Sequence, residues 1–101
     1  MAIEITARHL QISPDLQDFA RGRAERLIGE FHKIEHVHVV LDEQRKRFSA
    51  EFVVQHKGLA QVEAREVCEN MPAAIDLACE KVEKQLRRHR EKVVASHHQR
   101  A

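Results

Sequence analysis

Between residues 34 and 68 the chain alternates apolar and polar residues in three consecutive runs, with only short polar spacers between them. In "IEHVHVVLDE" Val37, Val39 and Leu41 fall on one side, and His36, His38 and Val40 on the other. "FSAEFVVQH" repeats the pattern with Phe48, Ala50, Phe52 and Val54, and "LAQVEAREV" with Ala60, Val62 and Ala64. A period of two is that of a half-buried strand. The spacers, a polar "DEQRKR" and the reversal "KG" at 57 and 58, suit hairpins, so the three strands run antiparallel.

Two helical segments and one more strand surround this meander. "AIEITAR" alternates Ile3 and Ile5 with Glu4 and Thr6, a first half-buried strand. "SPD" opens a helix: Ser13 caps it, Pro14 suits its first position and Asp15 favours the positive end of the dipole. Leu16, Phe19, Ala20, Leu27 and Phe31 make one apolar stripe. With Gly29 loosening the last turn, the helix is expected to end near Phe31 or His32. Asn70 caps the final helix, with Pro72 able to move its start by a residue. Ile75, Ala78, Val82 and Leu86, then His89 and Val93, form its buried face.

The order is β-α-β-β-β-α, an α+β fold. A right-handed crossover through the first helix makes strands one and two parallel, giving a four-stranded mixed sheet. Each helix has a single apolar stripe, so both helices are expected to pack on one sheet face. The other face then carries His36, His38, Ser49 and Glu51 toward solvent. One domain over residues 1–94 is expected, with "SHHQRA" in 95–101 as a disordered tail.

Composition supports this: 43% hydrophobic and 33% charged residues are globular proportions. No apolar run approaches a bilayer span and none has a signal-peptide pattern, so the expectation is a cytoplasmic protein with no membrane partner. Cys68 and Cys79 lack a CxxC spacing and read as reduced thiols.

The formal net charge is only +1, but its distribution is uneven. Residues 1–70 hold 10 Lys+Arg against 12 Asp+Glu, and residues 71–101 hold 7 against 4. The cations concentrate in "KVEKQLRRHREK" at 81–92, where Lys81, Lys84, Arg88 and Lys92 form a stripe beside the apolar seam. A helix over 71–93 is roughly 34 Å long and a strand of eight residues about 27 Å, so the basic end outreaches the sheet. Cations at a helix C-terminus also complement the macrodipole, and Glu80–Lys84 and Glu83–Arg87 are spaced as surface pairs. A second cluster on the first helix, Arg21, Arg23 and Arg26, shifts the balance toward a polyanion-binding surface.

"ENMPAAIDLACEKVEKQLRRHREK" resembles the second helix of the ribosome hibernation promoting factors, also called ribosome-associated inhibitor or sigma-54 modulation proteins. Asn70, Met71, Ala73, Ala74, Ile75 and Asp76 match the family's opening. Lys81, Val82, Lys84, Gln85, Leu86, Arg88, His89 and Arg90 match the run that follows. "IEITARHLQIS" and "LQDFARGRAERLIGEFHKIEHVHVVL" are similar to its earlier elements, so the likeness covers about residues 1–93.

The resemblance implies the same fold and a non-enzymatic role. Such a protein binds the small ribosomal subunit, 16S-type rRNA with neighbouring ribosomal proteins, in the messenger and transfer RNA channel near the decoding centre. There it inhibits translation in resting or stressed cells. By matched position Arg23, Arg26, Lys81, Lys84, Arg88 and Arg90 are the implied RNA contacts. Three departures stand out: Pro72 in place of an aromatic, Ala7 where many members have Gly, and an end at residue 101. The last implies the short form, without the long form's dimerisation domain. Ribosome pairing would then need a separate dimerisation factor, or would be opposed.

Other chemistry finds little support. His36 and His38 share a strand face with Glu51, yet nothing supplies further metal ligands at motif spacing. Ser49 lacks a nucleophile elbow, neither cysteine has a base fixed beside it, and three glycines make no phosphate-binding loop, so no cofactor and no enzyme are expected. A double-stranded-RNA-binding module shares the layer arrangement, but its second helix is basic at the N-terminal end, where "ENMPAAIDLACE" is acidic or neutral. The remaining alternative is a protein–protein module using the open sheet face, with His38 and Val40 in the contact.

Overall fold

The computed structural model describes the backbone of residues 2–100, with the side chains of that range except those of 2, 60 and 93–100. The elements are β1 (Ala2–Arg8), α1 (Pro14–Glu30), β2 (Ile34–Gln44), β3 (Arg47–His56), β4 (Leu59–Cys68) and α2 (Met71–Arg100). The sheet order is β1-β2-β3-β4. β1 is parallel to β2, with Ile5 opposite Val39, and the other neighbours are antiparallel. This is the expected mixed sheet, with α1 packed over β1 and β2 and α2 over β3 and β4.

The helix starts follow from their caps. Ser13 Oγ accepts from the Leu16 N–H at 3.1 Å, with Pro14 in the first turn where its missing N–H costs nothing. Asn70 Oδ1 accepts from the Ala73 N–H at 2.8 Å, and the Asn70 carbonyl accepts from the Ala74 N–H at 3.2 Å. Pro72 therefore sits inside the first turn and does not displace the start at Met71.

The core is a single cluster between sheet and helices. From the sheet come Val37, Val39, Leu41, Ala50, Phe52, Val54 and Val62, and from α2 Ile75, Ala78, Val82 and Leu86, all nearly or wholly buried. Burying one large side chain of this set stabilises by about 1.5–3 kcal/mol. The α1 stripe includes Ala24, absent from the sequence expectation. Ala20, Ala24, Ala74 and Ala78 are all fully buried, and alanines at these positions let the two helices and the sheet approach closely. Leu16, Phe19 and Phe48 are only partly buried, at the edges of the layer.

On the open face, Ser49 was expected toward solvent but is 9% exposed, set in a groove that Arg47 and Arg65 also line. His56, at the end of β3, is buried on the helix side. Both cysteines are free, Cys79 buried and Cys68 half-buried. The expected tail over 95–101 and the expected burial of Val93 fall on side chains outside the described set, and the α2 backbone extends to Arg100.

Ser13→Ala and Asn70→Ala are each expected to cost about 1 kcal/mol through loss of a cap acceptor. The caps belong to different helices and share no partner, so the double variant should lose about the sum, read from urea midpoints at constant m.

Candidate nucleic-acid interface

Helix α2 has three outward aspects once its seam of Ile75, Ala78, Val82 and Leu86 is turned to the sheet. One flank meets α1 and carries Asp76, Glu83, Arg87 and Arg90. The opposite flank borders β4 and carries Lys81, Gln85, Arg88 and Lys92. Lys84, at 3.6 residues per turn, falls on the ridge between them. Of the six residues expected to contact RNA, the four on α2 are thus distributed over all three aspects, with Arg90 on the first, Lys81 and Arg88 on the second and Lys84 on the ridge, while Arg23 and Arg26 stand on α1 opposite the first.

The α1-facing flank is a ladder of alternating charge. Arg23 Nε donates to Asp76 Oδ1 at 2.6 Å, and its guanidinium lies over the Phe19 ring at 4.5 Å. The hydrogen bond to Asp76 raises the Arg23 pKa further above its already high ordinary value. Arg26 approaches Glu83 at 3.7 Å, and the same carboxylate meets Arg87 at 3.3 Å. Glu30 of α1 stands 4.0 Å from Arg87 and 3.8 Å from Arg90. The Arg90 guanidinium covers the Phe31 ring at 4.8 Å. These acids, Asp76, Glu83 and Glu30, are what the sequence reading missed. The signal was available only as complementary charge on two helices whose relative register the sequence leaves open.

On the β4-facing flank Lys81 Nζ is paired with Glu66 Oε1. Gln85 Nε2 donates to the Glu63 carbonyl at 3.3 Å. Among the described residues no carboxylate oxygen lies within 4.0 Å of Lys84 Nζ or of the Arg88 guanidinium. Both side chains are exposed. The pair Glu80–Lys84, expected from its spacing, does not form, whereas Glu83–Arg87 does. Of the six cations, then, Lys84 and Arg88 present uncompensated charge, and Arg23, Arg26, Lys81 and Arg90 each face a carboxylate. Such exposed pairs are worth about 0–1 kcal/mol and exchange readily for a phosphate.

At the seam between the end of α1 and α2, Phe31, Leu86, His56, His89 and Arg90 border a cavity of about 230 Å³. His89 stands edge-on to His56, with ring centroids 5.6 Å apart and an interplanar angle of 87°. The Gly58 N–H donates to His56 Nδ1 at 3.0 Å. A Cβ at Gly58 would come within 2.8 Å of His89 Nε2, so a larger residue at this reversal would have to displace the His89 ring.

The strand histidines take different partners from those expected. Glu4, rather than Glu51, stands between them, 4.0 Å from His36 Nε2 and 3.8 Å from His38 Nε2. His38 Nε2 also meets Thr6 Oγ1 at 2.8 Å. Among the described residues no three His, Cys, Asp or Glu side chains group as a metal site. Burial pushes the Cys79 thiol up to about 11, so it is protonated at neutral pH and is not a nucleophile.

The chain matches the family described as sigma 54 modulation protein / S30EA ribosomal protein over residues 3–94. Its relatives include the ribosome hibernation promoting factor of Pseudomonas putida, 30% identical over 92 residues, covering 91% of this chain and 89% of the relative. The factor of the same name from Azotobacter vinelandii is 31% identical over 94 residues, covering 93% and 87%. Among solved structures, the N-terminal domain of Thermus thermophilus Protein Y superposes with a TM-score of 0.78 at 30% identity, covering 88% and 99%. A ribosomal subunit interface protein from Coxiella burnetii shares the fold, with a TM-score of 0.79 at 21% identity over 90% and 99%.

His56 makes this region sensitive to pH. Burial lowers its pKa, and His89 and Lys33 lower it further, against a smaller opposing effect of Glu35. The folded protein therefore binds a proton at His56 less readily than the unfolded chain. The stability this contributes is present above the ordinary histidine pKa of about 6.5 and is lost as pH falls through the lowered folded value. Urea midpoints should drop between pH 7.5 and pH 5.0, and His56→Asn, which keeps an acceptor near the Nδ1 position, should flatten that dependence.

Proposed function

Because the chain belongs to the sigma 54 modulation protein / S30EA ribosomal protein family, we propose that it is a ribosome hibernation factor. It binds the small ribosomal subunit in the channel used by messenger and transfer RNA, near the decoding centre, and blocks translation in resting or stressed cells. Its partners are 16S-type rRNA and the neighbouring ribosomal proteins, and its place of action is the cytoplasm, where ribosomes are. Among the described residues no helix is long and apolar enough to cross a membrane. Inhibition needs only occupation of the channel, with no catalytic step.

The observation that carries this reading is the uncompensated charge of Lys84, on the outer ridge of α2, and of Arg88, beside it on the β4-facing flank. A cation without an internal partner neutralises a phosphate and releases its counterion without first breaking an ion pair. Arg23, Arg26, Lys81 and Arg90 join by exchanging their carboxylates for phosphates, at a smaller net gain. The chain holds only four Phe and no Tyr or Trp. Phe31 and Phe52 are buried, and Phe19 and Phe48 pack against the core. Shape and phosphate recognition therefore dominate over base stacking.

Co-sedimentation with small subunits over a salt series tests the reading. Six phosphate contacts correspond to a log–log slope of roughly −4 to −5. Lys84→Glu with Arg88→Glu should flatten that slope by at least about 1.4–1.8, the share of two phosphates. Arg23→Gln with Arg26→Gln should change it less. Absence of wild-type protein from small subunits at every salt concentration would defeat the assignment.

A further inference from the structure

The connection between β2 and β3 is built from residues that fit it poorly. Gln44 pairs with Arg47, which leaves Arg45 and Lys46 as the whole of a two-residue loop. Both have positive φ, 52° and 64°. Loops of this shape favour Asn-Gly or Asp-Gly, because those residues enter the left-handed region at little cost. A side chain with an ordinary Cβ is disfavoured there because the Cβ crowds the following carbonyl oxygen. Strain of this kind points to a task for the side chain beyond turning the chain.

The surroundings indicate the task. Arg45, Lys46, Arg47 and Arg65 are all exposed. By strand alternation Arg47 and Arg65 lie on the open face of the sheet, flanking the Ser49–Val67 pair. Arg45, Arg47 and Arg65, with Ser49 and Asp42 among the other walls, line a groove of about 450 Å³. Among the described residues no carboxylate oxygen lies within 4.0 Å of any of these four cations. Glu51 stands opposite Arg65 in the ladder without reaching it, and Asp42 is engaged by His9 Nδ1 at 2.8 Å. The contrast with the α1–α2 seam, where every arginine named above has an acid, is direct. Three guanidinium forks around one hydroxyl are suited to the oxygens of a phosphodiester.

Position separates this groove from the α2 surface. It opens on the face away from the helices, at the end of the sheet next to the start of α2, whereas Lys84 and Arg88 lie in later turns of that helix. The ten residues of β3 put about 33 Å between the two ends of the sheet. We infer that the arginine groove at the β2–β3 turn is a second phosphodiester-binding site, taking a different RNA segment from the one on α2. The molecule is then held between two RNA segments on opposite faces. This inference rests on the RNA-binding reading proposed above and adds a site to it.

The decisive variant is R45N/K46G, which installs the residues the loop prefers and removes two charges, with R65Q added to empty the groove further. R45N/K46G should melt a few degrees higher than wild type, since relieving about 1 kcal/mol moves Tm by about 4–8 °C in a chain of this size. Binding is measured on refolded, protein-free 16S-type rRNA and, in parallel, on isolated small subunits. On the RNA the double variant, which removes one groove-lining arginine, should flatten the salt slope by at least about 0.7–0.9, and the triple variant, which removes two, by at least about 1.4–1.8. Combination with K84E/R88E should give additive losses. A higher Tm with unchanged RNA affinity and slope would overturn the inference, as would weaker small-subunit occupancy with an unchanged RNA slope, which would indicate a ribosomal protein at the groove. Wild type that holds RNA yet never occupies small subunits would defeat the preceding proposal and leave the RNA slope to decide this one. Wild type that holds no RNA would overturn both.

Discussion

Burial of the α2 seam against β3 and β4 sets the direction of every charged residue on that helix. Ile75, Ala78, Val82 and Leu86 are buried together with Phe52, Val54 and Val62, and their spacing leaves one rotation of the helix that hides them all. With the rotation fixed, Asp76 and Glu83 must face α1, Lys81 must face β4, and Lys84 must point away from the protein. Ala74 and Ala78 bring the helix close enough for Arg23 and Arg26 of α1 to reach those acids. The electrostatic surface is therefore a by-product of apolar packing.

That dependence explains why two cationic clusters on one helix layer do not behave alike. Where α1 and α2 face each other, like charges would repel across a narrow seam, and alternation of arginine with carboxylate removes the repulsion. Solvent screens Lys84 on the outer ridge and the exposed Arg88 beside it on the β4-facing flank, so no such compensation is required there. Internal pairing and external availability are thus divided between aspects of one element. The hairpin end of the open face follows the second pattern with a different scaffold, a strained turn and two strands.

The strands and the helix starts were legible because they rest on local signals. Alternation over 34–68 placed three strands, and Ser13 and Asn70 placed two caps, since a cap needs only its own next turn. The buried face of β2 and that of α2 from Ile75 to Leu86 were read correctly from their periods, while His89, expected to continue the α2 face, is only half-buried. What escaped depended on contacts distant in sequence. Ala24 and Ala74 are too weakly hydrophobic to announce burial, and only the crossing of helices and sheet hides them. The acids that meet Arg23, Arg26 and Arg90 lie on the facing helix, so no window of the sequence contains both members of a pair. The left-handed backbone at Arg45 and Lys46 is invisible because neither residue advertises it, whereas Asn-Gly there would have done so.

The parallel pairing of β1 with β2 has a kinetic consequence. The meander of β2, β3 and β4 closes through short reversals, and α2 follows it directly, so that part of the chain assembles from neighbours in sequence. β1 must instead wait for the crossover through α1 to bring Ile5 beside Val39, a loop whose closure carries a larger entropy cost. The first seven-residue strand is thus expected to join an already formed scaffold, and a chain emerging N-terminus first would hold it unpaired until its partner is made.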